Sequence, residues 1–470
     1  EDTFEGRLII IDEAHNIRAG NDKNLKKVAA ALNTLVEEVH NVRLLLLSAT
    51  PMFDNYREII QIINILLKNE KRDIMVESEI FDSTGNFTTD EDGKEIGKVD
   101  FARKINGLVS FVQGENPFSF PFRIFPKLFS PDDSFKGTTE YPKYQLNDAL
   151  ILNPIEHIDI FALSIEGYQR EIYDKIVHAK LSKPIIAEKV EEEKDADVDV
   201  DVESVVEEEK DVDVDVDVDV DVDADVDVES VVEVDDNLET DTRPQQETSF
   251  GYNTLKEPLE ALNIVFPNKN VDDDTSEFLG KKGLIRIVAN IDSLPYEFNS
   301  EYLNGTRSMF QIDVIAKYSA KMSNIGRAIM KNEGIALVFS QYIYGGIVPI
   351  AIMLEEMGFV RYGTHKSFLS ESYKRTNNIA PLMINGKQAT YSMITSNSTF
   401  SGSNATEINA STSEDNKDGS VIKVVLITKA GSEGIDLKNI RAVHILEPWY
   451  NMNRIEQIIG RAVRNCSHKQ

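Results

Sequence analysis

The stretch "RLIIIDEAHNIR", residues 7–18, decides how the rest of the chain is read. An aliphatic run of strand length ends in two adjacent acids, Asp12 and Glu13, followed by His15. Such a run predicts a central parallel strand covered on both faces. In open α/β sheets, ligands bind beyond the carboxyl ends of the strands, where these acids stand. In phosphoryl transfer, an acid there can hold Mg²⁺ bound to nucleotide phosphates. Its neighbour Glu13 can orient and deprotonate an attacking water. An acid pair that merely caps a helix is the plain alternative. Against it stands a second strand, "RLLLLSAT" (43–50), whose end carries Ser48 and Thr50. Two hydroxyls beside an acid pair can relay between a nucleotide and a second ligand, although alone they equally suit a helix N-cap.

Outward from that stretch the rhythm continues. Residues 24–40 set Leu25, Val28, Ala29, Leu32, Leu35, Val36 and Val39 at helical spacing, and "YREIIQIINILLK" (56–68) predicts a second helix. Strand, helix, strand, helix implies an α/β unit. Residues 71–150 lose this rhythm, so 1–150 is read as one lobe with an irregular extension. Residues 151–187 are read as a bridging helical segment and 249–304 as a linker. The α/β alternation resumes over 305–470, with a mobile Ser/Asn-rich loop expected near 395–420.

The net charge of −30 appears hostile to nucleic acid until it is located. Residues 188–241 hold 27 acids and 3 lysines, a charge of −24, which leaves −6 for the rest of the chain. The stretch 188–248 is therefore expected to be a disordered acidic insert, because like charges and few large apolar residues oppose packing. The single cysteine, Cys466, rules out an intramolecular disulfide and suits a reducing compartment. The longest apolar runs fall short of the ~20 residues of a membrane span, so no membrane partner is expected.

The second α/β unit carries its own motifs. In "TKAGSEGIDL" (428–437), Gly431 and Gly434 follow a strand, and glycine lets backbone N–H groups approach phosphate or sugar oxygens. In "QIIGRAVR" (457–464), helical spacing puts Gln457, Arg461 and Arg464 on one face. Gly460 removes a side chain where another surface is expected to come close. Two guanidiniums on one face suit the charge that grows on a transferring phosphate.

In order along the chain, "DEAH" (12–15), "SAT" (48–50), "ALVFSQY" (336–342), "TKAGSEGIDL" and "QIIGRAVR" resemble motifs II to VI of superfamily 2 helicases and translocases. The resemblance implies two RecA-like lobes with ATP and Mg²⁺ in the cleft between them. Asp12 would serve Mg²⁺, Glu13 the water, and Arg461 and Arg464 would be fingers donated by the second lobe. By the same resemblance His15, Gly434, Asp436 and Gly460 belong to the nucleotide site. Ser48, Thr50, Gln341, Thr428 and Gly431 belong to nucleic-acid contact or coupling. Motif V resembles the Snf2-like branch, many of whose members track duplex DNA, so DNA is favoured over RNA as partner.

A narrower likeness covers about 60% of the chain. "SATPMFDN" (48–55), "LVFSQYIYGG" (337–346) and "HILEPWYNMNRIEQIIGRAVRNCSH" (444–468) look like the helicases of large nucleocytoplasmic DNA viruses related to poxviral NTPase I and the early transcription factor small subunit. That family implies viral transcription, with RNA polymerase or transcription factors as partners, in a cytoplasmic factory or virion. One departure is plain: the family's G-x-x-x-x-G-K-[ST] phosphate loop does not occur in residues 1–470. The expectation is a first lobe cut short at its N-terminus, lacking the loop that cradles phosphate. A non-catalytic, helicase-like subunit that tethers polymerase is the rival reading. Trp449 suits either base stacking or a plug in its loop.

Overall fold

The computed structural model describes residues 4–17, 23–39, 41–52, 56–82, 85–111, 121–138, 140–151, 158–181, 252–270, 272–395, 397, 399–401, 404–428, 435–447, 452–463 and 467–468. The acidic insert, Gly431, Gly434, Trp449, Arg464 and Cys466 lie outside them.

The first lobe begins with β1 (Leu8–Ile11), α1 (Lys23–Glu38), β2 (Arg43–Leu46) and α2 (Glu58–Asn69). β1 and β2 pair in parallel, Ile11 opposite Leu46. Ala29, Leu32 and Val36 of α1 and Ile65 of α2 pack with Ile11, Leu44 and Leu46 on one face of this pair. The expectation of a strand covered on both faces is not met. Leu8 and Ile10 are 56% and 57% exposed, and Leu45 is exposed beside them. Side chains alternate along a strand, and both helices lie on the same side. Val28, assigned to the buried stripe of α1, is exposed as well.

The other flank of α2 makes a second cluster. Ile60, Ile63 and Leu67 meet Met75, Ile80 and Phe81, held by α3 (Glu77–Ile80) and α4 (Ile96–Ile105). The region expected to be irregular is therefore partly helical, and it continues through α5 (Pro126–Phe129) and α6 (Phe135–Thr138).

The second lobe is larger. It contains α7 (Gly167–Leu181), α8 (Tyr252–Asn263), α9 (Gly280–Ile287), α10 (Ala320–Lys331), β3 (Ile335–Phe339), α11 (Val348–Glu356), β4 (Val360–Arg361) and α12 (Glu371–Thr376). A small hairpin, β5 (Met383–Ile384) and β6 (Lys387–Gln388), leads into β7 (Thr390–Ile394). Then come α13 (Asn404–Thr412), β8 (Val424–Ile427), β9 (Ile440–Ile445) and α14 (Met452–Gly460). Five strands form one sheet in the order β4-β7-β8-β3-β9, every pairing parallel. Here the sheet is covered on both sides. Ala336, Val338, Met393 and Leu426 face one core. Leu337, Phe339, Val425 and Ile427 face another, capped by Ile458 and Ala462.

Two segments differ from their sequence reading. Residues 249–304, expected as a linker, supply Ile264, Phe266, Leu284, Ile287 and Val288 to the core that holds Val338 and Tyr391. "GKKGLIRI" is helix α9, whose buried face carries Gly283, Leu284 and Ile287, and a side chain at Gly283 would collide with the Phe266 ring. Buried Gln169 locks α7 to this lobe: its amide donates to the carbonyls of Ala261 (3.0 Å) and Leu262 (3.3 Å) and accepts from the Ala320 N–H (2.9 Å). In the Ser/Asn-rich stretch, α13 stands in place of the expected loop. Glu407 of α13 accepts the Met393 N–H of β7 at 2.8 Å. The Asn416 amide spans to the Ser411 and Ile422 carbonyls at 3.1 Å each. Buried polar side chains, rather than an apolar stripe, fasten it, so hydropathy did not announce it.

Candidate active site

At the carboxyl ends of β1 and β2 the two first-lobe motifs are joined by backbone. The Leu47 N–H donates to the Ile11 carbonyl (2.9 Å), and the Ala14 N–H donates to the Leu47 carbonyl (2.8 Å). Beyond Ile11 the chain must turn at once, and Glu13 adopts a left-handed conformation (φ 50°, ψ 48°). A non-glycine residue there is strained, which is common at working sites. The turn leaves Asp12 and Glu13 exposed while it buries His15 at 5% exposure.

His15 is the hub. Its Nδ1 lies 3.1 Å from Ser48 Oγ, 3.4 Å from Thr50 Oγ1 and 3.3 Å from Glu13 Oε2. Ser48 Oγ also accepts the Thr50 N–H at 3.1 Å. The structure thus brings together five residues that the sequence singled out: Asp12, Glu13, His15, Ser48 and Thr50. The Ser48 and Thr50 hydroxyls and the Glu13 carboxylate thus share one imidazole nitrogen. In a form extended through a phosphate-binding loop, Ser48→Ala should leave basal ATP turnover close to that of the unsubstituted extended form and lower its stimulation by nucleic acid about 3- to 10-fold, the worth of one hydrogen bond. Steady-state assays with and without nucleic acid check this.

No cluster of three or more metal-binding side chains occurs among the described residues. That fits Mg²⁺, which is commonly held by one or two carboxylates together with substrate phosphates and waters. The exposed carboxylates of Asp12 and Glu13 supply suitable hard oxygen donors.

In the second lobe the motif residues lie at the carboxyl ends of β3, β8 and β9. Ser340 and Gln341 follow β3, and Thr428 follows β8. Thr428 is 4% exposed and donates its N–H to the Ile394 carbonyl at 3.2 Å. A π-helical turn, Ile343–Ile347, joins β3 to α11. A side chain on Gly346 would collide with the Ser340 hydroxyl, so glycine is required for this close packing.

Sequence patterns did not reveal the group that holds motif IV. Glu447, at the end of β9, is 4% exposed. It accepts from Ser340 Oγ (2.5 Å), the Gln341 N–H (3.0 Å) and Asn263 Nδ2 (2.5 Å). Half-buried Lys321 completes the cluster, donating to Asn263 Oδ1 (3.0 Å) and the Leu446 carbonyl (2.6 Å). Burial pushes the Glu447 carboxyl up and pulls the Lys321 ammonium down to about 8. The only available signal was a glutamate in an otherwise apolar strand ending, "HILEP".

Motif VI is described only in part, since Arg464 lies outside the described residues. α14 runs to Gly460 and tightens into a further turn, in which the Arg461 and Ala462 N–H groups donate to the Ile458 and Ile459 carbonyls at 3.2 and 2.9 Å. A side chain at Gly460 would meet open space, so the expected close approach is absent among the described residues. Motifs V and VI do meet through backbone: the Leu437 N–H donates to the Arg461 carbonyl at 3.1 Å, which sets exposed Asp436 beside the arginine turn. His444, read as packing, is half-buried on β9, and desolvation pulls its imidazole down to about 4. Arg123 makes a bidentate pair with Glu456 of α14 at 2.8 and 3.2 Å, tying the first-lobe extension to the motif VI helix.

Residues 321–466 match the helicase conserved C-terminal domain. A protein of Acanthamoeba polyphaga mimivirus named as an ATP-dependent RNA helicase is 23% identical over 470 residues, covering 98% of this chain and 57% of the relative. A protein of invertebrate iridescent virus 3 named as a helicase is 23% identical, covering 99% of this chain and 34% of the relative. A termination factor NPH-I homologue of African swine fever virus is 23% identical over 230 residues, covering 46% of this chain and 32% of the relative. The chain thus spans little more than half, or only about a third, of the length of these relatives. The chain is thus similar along its length to proteins of large DNA viruses named as helicases, and its match to the helicase conserved C-terminal domain lies in residues 321–466.

Proposed function

We propose that this chain forms the hydrolytic and coupling part of an ATP-dependent translocase or helicase that acts in viral transcription, on DNA in preference to RNA. The carrying observation is the His15 hub, which links an exposed acid pair at one strand end to two hydroxyls at the next. In this reading Asp12 holds Mg²⁺, which supplies charge neutralisation to the phosphates when bound. Glu13 aligns a water and takes its proton. Gln457, Arg461 and Arg464 approach from the second lobe, where arginine charge stabilises the transferring phosphate. Gly434, Asp436 and Gly460 border the nucleotide. Gln341, Thr428 and Gly431 contact nucleic acid. Polymerase or transcription factors are the proposed protein partners, in a viral factory or virion.

Residues 1–470 contain no G-x-x-x-x-G-K-[ST] sequence. Alone they are expected to turn over ATP negligibly, because nothing in them cradles the β- and γ-phosphates. A form extended through such a loop should show nucleic-acid-stimulated hydrolysis, and Arg461→Ala should abolish most of it. Phosphate-release assays on both forms check this. Normal turnover by residues 1–470, or an extended form that nucleic acid does not stimulate, would reject the reading.

A further inference from the structure

A cationic cleft lies in the first lobe, at the pole opposite the acid-tipped strand ends. α2 follows the carboxyl end of β2, and its 12 residues carry the chain about 18 Å back. It therefore ends near the amino end of β2, where Lys71 donates to the Val36 and Glu37 carbonyls of α1 at 2.9 and 3.1 Å. Just past the helix a left-handed position, where glycine is usual, is held by Lys71 itself (φ 54°). Arg72 donates to the Lys104 and Asn106 carbonyls at 2.8 and 3.3 Å, and the Lys104 ammonium to the Ile74 carbonyl at 2.5 Å. Among the described residues no carboxylate forms an ion pair with Lys71, Arg72 or Lys104, whereas Arg103 pairs with Asp100. A cleft of about 320 Å³ opens here, with Lys71, Arg72, Arg103, Lys104 and Asp73 in its wall.

We propose that this cleft is a docking site for an aspartate-rich peptide, and that its occupant is the acidic tract of the same chain, residues 188–241. The charges are complementary, −24 in the tract against the cationic wall. Over residues 211–228 every second residue is Asp, and those between are Val or Ala. In an extended chain alternate side chains share a face. Such a stretch presents a row of carboxylates on one side and valines on the other. Ammonium and guanidinium groups that rest on carbonyls keep further N–H donors for those carboxylates. The tract lies within the 70 residues 182–251, between α7 and α8. A flexible chain of that length spans on the order of 45 Å, enough to reach a neighbouring lobe, and tethering raises the effective concentration. The cleft stands at the far pole from Asp12 and Glu13, so docking does not depend on ATP hydrolysis.

The test uses the whole chain. Zero-length carbodiimide coupling joins ammonium groups to carboxylates that touch them. Peptide mapping should place links from residues 188–241 on Lys71 and Lys104, and about 1 M salt, which screens beyond about 3 Å, should erase them. Arg103 is exposed and is not itself coupled, so Arg103→Glu should lower the yield about fivefold, with thermal unfolding as the control for folding. Arg103→Gln gives the same readout if the charge reversal disturbs α4. Calorimetry at low salt then compares the whole chain with a form lacking residues 188–241. The shortened form should bind a synthetic peptide of residues 211–228 about tenfold more tightly, because the cleft of the whole chain is already filled. The same peptide with Asn at every Asp should not bind. Links spread evenly over the exposed Lys94, Lys98 and Lys143 overturn the docking, as does equal peptide affinity in the two forms. So does a short oligonucleotide that binds both forms equally and loses affinity in Arg103→Glu, which would make the cleft a nucleic-acid site.

Discussion

Glu13→Gln should lower the kcat of nucleic-acid-stimulated ATP hydrolysis about 10²- to 10⁴-fold, the range contributed by a positioned general base. Glutamine keeps the size of the side chain and can still accept from a water, but it cannot take the proton. Asp12 is untouched, so nucleotide affinity should change little and KM should stay within a few-fold. The left-handed backbone at position 13 is set by the turn out of β1 and by the Ala14 hydrogen bond to Leu47, and the substitution removes neither. His15 lies 3.3 Å from Glu13 Oε2 and would retain Ser48 and Thr50. The measurement is steady-state hydrolysis by the extended form, with nucleotide binding recorded separately. A kcat within threefold of wild type would remove Glu13 from the chemistry.

Glu447→Ala should destabilise the second lobe by about 3–5 kcal/mol, because removing one partner of a buried charge cluster strands the other. Three donors, from Ser340, Gln341 and Asn263, lose their acceptor at once, and the Lys321 ammonium loses its counter-charge. Glu447→Gln should cost less, since the amide oxygen still accepts. A Glu447→Leu, Lys321→Met double variant should recover only part of the loss, because it removes the stranded ammonium while the Ser340, Gln341 and Asn263 donors stay without their acceptor. Denaturant unfolding of the whole chain checks the series. Lys321 adds a pH signature. Its folded value of about 8 lies below its ordinary 10.5, so the unfolded chain binds more protons between those values. Its contribution to stability therefore rises with pH through that window, and Lys321→Met should flatten the rise.

The acid-tipped strand end was legible because its logic is local. An apolar run that stops at adjacent acids can be read from spacing alone, as can the hydroxyls after β2. The role of His15 as their junction needed the β1–β2 register, which sets residues 33 and 35 positions apart side by side. The tertiary setting of the arginine motif was not legible in its spacing: past Gly460 the Arg461 carbonyl accepts the Leu437 N–H of a distant segment. The linker reading failed because residues 254–304 interrupt their apolar positions with Gly, Pro and Asn, yet bury them against a sheet formed far along the chain. Covariation of charge with burial was equally invisible: Glu447 and Lys321 stand 126 positions apart in "HILEP" and "AKMSN".

The sequence by itself determined two α/β units, the acid-tipped first strand and the order of the motifs, because strand and helix periods and strand-end chemistry are properties of neighbours in the chain. Only the tertiary structure decided that His15 joins the motifs, that Glu447 anchors motif IV, and that Lys71, Arg72 and Lys104 gather without an ion-paired carboxylate among the described residues. Those facts depend on hydrogen bonds and burial between distant segments, and no local periodicity records them.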